Sequence, residues 1–298
     1  MQGILLLDKP EGLSSNQALQ RVRRLLGRLK AGHTGSLDPL ATGMLPICLG
    51  EATKVAGHLL GARKAYQATV RFGSTTTTAD REGETLCIHP VPEIDEASVE
   101  ALLARFRGLI VQRPPAYSAL KLGGVPAYRL ARQGVAVELA PREVQIHDLR
   151  LRARTHERWE LDVVCGSGTY IRSLADDLGQ ALGCGAHLDA LRRQWVDPFQ
   201  GEPMVELGAI EGADSPSALV ESHLRPIASG LARMPGIRLA AEDVRRLQQG
   251  QRVAVDAASA AAAGLNQVRI ENPEGGLIGL GRIDADGLLR PSRLIHGE

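Results

Sequence analysis

Aromatic side chains are scarce in this sequence: two Trp, four Tyr and three Phe among 298 residues. A protein that reads single strands by stacking base after base on rings needs more of them, so that mode of recognition is excluded. Cysteine is scarce too. Cys48, Cys87, Cys165 and Cys184 make no C-x-x-C pair, which argues against both a disulfide framework and a zinc site. No apolar run approaches the ~20 residues of a membrane helix. Met1 to Asp8 has no basic segment and reaches a charge too early for a leader; it reads as a strand, and a cytoplasmic protein with no membrane association is expected. Net charge is nearly absent, with 35 basic against 34 acidic residues. With 44% hydrophobic residues and 23% charged, the chain can fill a core, which excludes wholesale disorder. At about 150 residues per domain the length allows a large domain and a small one.

Ser14 and Gln17 have capping-box spacing and predict a helix carrying Ala18, Leu19, Val22, Leu25, Leu26 and Leu29 on one face. Lys64 to Gly73, Val144 to Leu151 and Trp159 to Cys165 alternate as strands. Val99, Leu102, Leu103 and Phe106 predict a helix that Gly108 can end. Ile171, Leu174, Ala175, Leu178, Ala181 and Leu182 predict another closed by Gly183. Strands and helices mix without a βαβ rhythm, so the expected class is α+β, a largely antiparallel sheet flanked by helices. From about Gly236 the texture changes. A short helix (Ala241 to Leu247) precedes four strand candidates, Arg252–Val255, Val268–Glu271, Leu277–Ile283 and Arg290–Ile295, and an Ala-rich stretch, Ala257 to Ala263, reads as a flexible surface loop. The expected division is residues 1–235 and a β-rich unit of residues 236–298.

Charge is balanced overall but not locally. Gly12 to Leu37 holds Arg21, Arg23, Arg24, Arg28 and Lys30 and no acid; Ala101 to Val137 holds Arg105, Arg107, Arg113, Lys121, Arg129 and Arg132, again without an acid. Two such tracts favour a polyanion footprint over a merely solvated face.

The segment Gly32 to Pro46, GHTGSLDPLATGMLP, frames one carboxylate, Asp38, with three glycines and two prolines. Pro39 keeps Asp38 out of helical geometry. An Asp with a reference pKa near ~4 is ionised at neutral pH, fit to attack an electrophile or pair with a cation, although an isolated Asp-Pro is most often a turn initiator. No glycine here is followed by Lys as a P-loop requires, His33 has no metal partner at ligand spacing, and no second acid forms an obvious hydrolase pair.

Gly32 to Lys54, GHTGSLDPLATGMLPICLGEATK, closely resembles the signature of the TruB family of tRNA pseudouridine synthases. Asp8 to Asn16 (DKPEGLSSN), Lys64-Ala65-Tyr66, Gln112 to Lys121 (QRPPAYSALK) with Gly124 and Ala127-Tyr128, Gly168 to Leu174 (GTYIRSL) and His187 to Arg193 (HLDALRR) resemble further family blocks in the family's order. Ser36 stands where Ala is common. All four tyrosines lie inside these blocks. The tail after Gly236 resembles a PUA-type RNA-binding domain in size and β-rich pattern only.

The resemblance implies isomerisation of uridine 55 in the T arm of tRNA to pseudouridine, with no metal or other cofactor, by a monomer without an obligate protein partner. It makes Asp38 the essential carboxylate and leaves open whether Asp38 adds to the base, adds to the sugar or assists elimination. The target base must be flipped out. His33 is expected to take the vacated place, and Tyr66 to face the uracil and serve in proton transfer. Tyr170 and Arg172, two apart in an extended segment, would point the same way, Arg172 pairing with Asp38 and keeping it anionic. Leu191 would line the pocket, Lys9 would assist substrate binding, and Arg192 and Arg193 would face phosphate. The basic insertion at about 101–137 resembles a thumb that folds over RNA. Two other readings are a guide-RNA-dependent relative, which would carry longer terminal extensions, and a tRNA-binding or tRNA-folding chaperone with secondary chemistry.

Overall fold

A computed structural model describes residues 1–255 and 267–296. The Ala-rich stretch expected as a surface loop lies outside the described residues. In chain order the first strands are β1 (Gly3–Lys9), β2 (Ala31–His33), β3 (Thr42–Leu49) and β4 (Lys64–Phe72). A hairpin, β5 (Ser74–Thr76) and β6 (Thr85–Ile88), precedes β7 (Gly108–Gln112) and a second short hairpin, β8 (Lys121–Leu122) and β9 (Val125–Pro126). Then come β10 (Arg142–Arg154), β11 (Arg158–Cys165), β12 (Ala186–Val196) and β13 (Val205–Glu206).

The large sheet has nine strands in the order β13-β1-β3-β12-β4-β11-β10-β7, with β2 also paired to β3. Among the described residues its parallel pairs are β1 with β13 and β3 with β12; the others are antiparallel. The α+β class expected from the sequence is the class observed. Alternation along β4 buries Tyr66, Ala68, Val70 and Phe72 and leaves Arg71 in solvent. β12 lies between β3 and β4, so its residues are enclosed on both edges.

Helix α1 (Ser15–Leu25) begins as its capping box predicts: Gln17 N–H donates to the Ser14 hydroxyl at 3.2 Å, and Ser14 N–H to the Gln17 side chain at 2.8 Å. It stops short of Leu29 because Gly27 and Arg28 turn the backbone left-handed, with φ 69° and 62°. Ala18, Leu19 and Val22 pack on Leu5, Leu7, Leu45 and Ile47. The other face of β1, Ile4 and Leu6, enters a different cluster with Met44, Leu59 and Ile227. After the short α2 (Ala56–Leu60), α3 (Glu96–Ala104) ends before Gly108, which instead opens β7 at φ 88°. Beyond α4 (Ala127–Arg132), α5 (Ile171–Leu182) is closed by left-handed Gly183. Leu174 and Leu178 of α5 meet Leu103, Leu149, Leu161 and the tilted Phe72–Trp159 pair, whose ring centroids are 4.5 Å apart. Each fully buried leucine there stabilises by about 1.5–3 kcal/mol.

Past α6 (Leu207–Glu211) and α7 (Pro216–Ser222), a second sheet is built from β14 (Gly236–Arg238), β15 (Val253–Ala254), β16 (Gln267–Glu271), β17 (Leu277–Ile283) and β18 (Leu288–Leu294), in the order β14-β16-β17-β18-β15. Helix α8 (Ala241–Gln248) buries Val244 and Leu247 against it. This C-terminal, β-rich part shares a core with the large sheet: Leu277, Leu280 and Ile295 join the cluster of Ile4, Leu6 and Leu59. Lys54 Nζ donates to Leu294 O at 2.8 Å, and His296 N–H to Glu51 at 3.0 Å across the same junction.

Candidate active site

Asp38 lies in the loop between β2 and β3, and that loop is held from three sides. The buried Ser15 hydroxyl accepts from Leu37 N–H at 2.7 Å and donates to Leu37 O at 3.1 Å. Pro39 O accepts from Gly12 N–H at 2.8 Å and Lys9 Nζ at 3.4 Å. Gly35 O accepts from Arg193 Nη2 at 2.9 Å. At the loop's exit Gly43 has φ 97° and lies so close to Arg193 that any Cβ would collide with the Arg193 carbonyl. A carboxylate fixed this way has little conformational freedom left to lose on meeting a ligand.

The Asp38 carboxylate meets Arg172, whose Nε is 2.9 Å from Oδ2. The N–H is not aimed at that oxygen, so the attraction is chiefly coulombic. Arg172 is 3% exposed and also donates to Thr78 O at 3.0 Å and Tyr117 O at 2.8 Å. Its Nη1 stands 3.5 Å from Oδ2 of Asp80, a second carboxylate, which unlike Asp38 is fully buried and accepts from Thr78 Oγ1 at 2.5 Å and Glu82 N–H at 3.1 Å. One guanidinium therefore bridges two carboxylates and the Tyr117 carbonyl of the basic tract. The extended geometry expected for Tyr170 and Arg172 is not found. Tyr170 is the N-cap of α5 and Arg172 lies in its first turn, and both still face the same cavity because the helix begins at the cavity wall. Arg172 in a first turn opposes the helix dipole, and the two acids offset that cost.

Burial pushes the Asp38 carboxyl above the usual carboxylate range; Arg172 and Lys9 pull it down, and Asp80 raises it further. Arg172 is the largest influence drawing Asp38 toward the anion, in the sense expected of the pair, and burial opposes it. The Tyr66 phenol is raised mainly by burial, with Arg193 acting in the opposite sense. His33 is lowered by burial and by Arg193, which favours a neutral ring at neutral pH.

Asp38 stands where two cavities meet. The smaller, about 300 Å³, is walled by Tyr66, Leu191, Tyr170 and Arg172, with Lys64, Arg142 and Arg193 also in its lining. Asp38 is its one carboxylate among the described residues. The guanidinium of Arg142 lies 5.0 Å over the Tyr170 ring. The larger cavity, about 810 Å³, reaches His33, Asp80, Tyr117, Tyr128 and Arg132. Ser118 and Ala119 of the insertion line both.

Two expected contact residues are placed differently. Arg193 does not face phosphate: it is 0% exposed and donates to Met44 O at 2.6 Å and Gly35 O, because β12 runs through the middle of the sheet. Lys9 is equally buried beneath the loop, its ammonium on Pro10 O, Leu13 O and Pro39 O. Arg192 is half-exposed and paired with Asp8 at 2.6 Å. The basic tract at 101–137 begins inside the core rather than as an added segment, since Leu102 and Leu103 of α3 are core and β7 completes the large sheet. Within it Arg107 pairs with Glu100 and Arg113 with Glu138 at 2.6 Å, so part of its charge is neutralised. Asp80 escaped notice in the sequence, where it is one of three acids in TTTTADREGE and nothing local sets it apart from Glu82 and Glu84.

Comparison with known proteins gives the family. The profile of the TruB family pseudouridylate synthase N-terminal domain matches residues 23–171, and TruB C-terminal profiles match 172–232 and 235–295. The chain is 52% identical over 297 residues to a tRNA pseudouridine synthase B of Xanthomonas campestris pv. campestris, covering 100% of this chain and 95% of that one. The chain belongs to the TruB family of pseudouridylate synthases. A Chromohalobacter salexigens tRNA pseudouridine synthase B is 47% identical over 296 residues, covering 99% of this chain and 95% of that one. Among solved structures, an H/ACA ribonucleoprotein bound to a substrate RNA containing 2′-deoxyuridine superposes with a TM-score of 0.73 at 21% identity, covering 99% of this chain and 85% of that one. A Cbf5–Nop10–Gar1 complex gives 0.73 at 23%, covering 98% and 84%. At those identities the likeness establishes the pseudouridine synthase fold alone. Among the described residues no helix is long and apolar enough to cross a membrane.

Proposed function

We propose that this enzyme converts uridine 55 in the T arm of tRNA to pseudouridine, and that Asp38 is its essential group. The observation that carries the reading is the position of Asp38. It is a rigidly held carboxylate at the junction of a groove and a small, cation-lined cavity, beside Arg172 and the Tyr66 phenol. The small cavity has room for one flipped pyrimidine nucleoside, and the groove leads from it along His33 and the insertion.

The N1–C1′ bond of the target breaks, the uracil turns, and C5 joins C1′. Asp38 acts on the substrate at the cavity mouth, whether through the sugar, the base or an elimination. Arg172 orients it and draws it toward the anion. Leu191 supplies an apolar wall, Tyr66 and Tyr170 supply ring faces, and the neutral His33 fills the space the base leaves. The curated relatives' names support tRNA as the substrate. Residues 1–235 form the catalytic domain and 236–298 a PUA-like RNA-binding domain, acting as a monomer in the cytoplasm with no obligate protein partner.

The test is purified protein with two unmodified tRNA transcripts, one carrying cytidine at position 55. Pseudouridine mapped at position 55 of the first and nowhere in the second is expected. Modification elsewhere in either transcript contradicts the site, and no product at all contradicts the activity.

A further inference from the structure

Arg193 is a buried cation that no step above uses. Two of its nitrogens are taken by main-chain carbonyls: Nε by Met44 O and Nη2 by Gly35 O. The third, Nη1, is buried and has no hydrogen-bond partner. No carboxylate pairs with this guanidinium among the described residues, although an unpaired interior charge is costly. Its partner in the sheet is informative. In the β12–β4 register Arg193 stands directly opposite Tyr66, and the two side chains line the same cavity, within which Arg193 interacts with the phenol.

We propose that Arg193 is a positioning residue for the Tyr66 phenol, presenting Nη1 to the phenol oxygen and stabilising its anionic form while the phenol exchanges a proton with substrate. This rests on the pseudouridylation reading and deepens it. At the last step C5 of the reattached base must lose its hydrogen. The C5–H bond breaks, its electron pair returns to the ring, and the proton passes to the phenolate oxygen, which has released its own proton to solvent beforehand. Burial alone makes a phenolate hard to form, and Arg193 opposes that. The other groups facing this phenol do not substitute for it. Asp38 from the loop and Cys165 on β11 act in the contrary sense. Lys64 on the same strand holds its ammonium on Leu60 O and Ala62 O, Arg142 is turned to Gly168 O and the Tyr170 ring, and Arg172 to the two acids.

The experiment replaces Tyr66 by a trifluorinated tyrosine, whose more acidic phenol ionises within the pH range a fold tolerates, and follows its fluorine resonances through a pH titration. The full chain is used, with Arg193 intact and as Arg193→Gln and Arg193→Lys. The midpoint is expected to rise by about one pH unit in Arg193→Gln, which is about tenfold less phenolate at a given pH, and by less in Arg193→Lys. An unchanged midpoint overturns the proposal. Should Arg193→Gln fail to fold, Arg193→Lys decides by the same criterion, a threefold loss of phenolate being the expected minimum. With ordinary Tyr66, the single-turnover rate of Arg193→Lys on tRNA should recover toward wild type as pH rises; a deficit equal at every pH marks a purely structural role. A fluorotyrosine midpoint that shifts in a protein that forms no pseudouridine refutes the functional reading and leaves the Arg193–Tyr66 coupling standing.

Discussion

Asp38 and Asp80 compete for Arg172, and the competition sets a direction for pH dependence. Asp80 raises the Asp38 carboxyl, so Asp80→Asn should move the acid limb of the pH–rate profile to lower pH while weakening the hold on Arg172. A loss of roughly 3–5 kcal/mol in chemical denaturation is expected where a buried pair loses one charged partner. An acid limb that stays put shows that Asp80 does not act through Asp38. The upward direction of the Asp38 carboxyl carries a stability prediction of its own. A carboxyl raised in the native state binds more protons there than in the unfolded chain, so its effect on stability worsens as pH climbs from the unfolded value through the folded one. Asp38→Asn should therefore gain stability relative to wild type across that window, and melting temperatures of both proteins in parallel over pH check it. A difference independent of pH contradicts the assigned direction.

At the scale of elements, the loop between β2 and β3 depends on α1 through a single hydroxyl. Ser15→Ala leaves Leu37 N–H without its 2.7 Å partner in a buried place, a cost of about 1–3 kcal/mol. Turnover is expected to fall more than KM rises, since the loop carries the carboxylate proposed to react; a change confined to KM contradicts this. Local chemistry made much of this legible in the sequence. The Ser14 and Gln17 cap, the glycine and proline frame of Asp38, the alternation of β4 and the Gly183 stop are all written within a few residues of where they act. What was not legible depends on pairing between distant segments. Arg192 and Arg193 look alike in sequence, yet the register of β12 between β3 and β4 sends one to Asp8 at the rim and buries the other beside Tyr66. Lys9, expected to assist substrate binding, is instead covered once the loop folds over it, and Asp80 joins the site only when the β5–β6 hairpin docks against α5 through Arg172.

For the whole molecule, Ile4, Leu6 and Leu59 share one buried cluster with Leu277, Leu280 and Ile295, so unfolding either sheet exposes apolar surface of the other. Thermal unfolding of the full chain is expected to show a single transition by both circular dichroism and calorimetry, and two resolved transitions contradict that coupling. RNA affinity should fall steeply with salt if the unneutralised arginines of α1 and the insertion meet phosphates. The decisive measurement concerns Asp38 in that intact molecule. Asp38→Asn should bind an unmodified tRNA transcript within a few-fold of wild type and yet form no detectable pseudouridine in a single-turnover assay with enzyme in excess. Product formed by the variant at a rate near wild type contradicts the account.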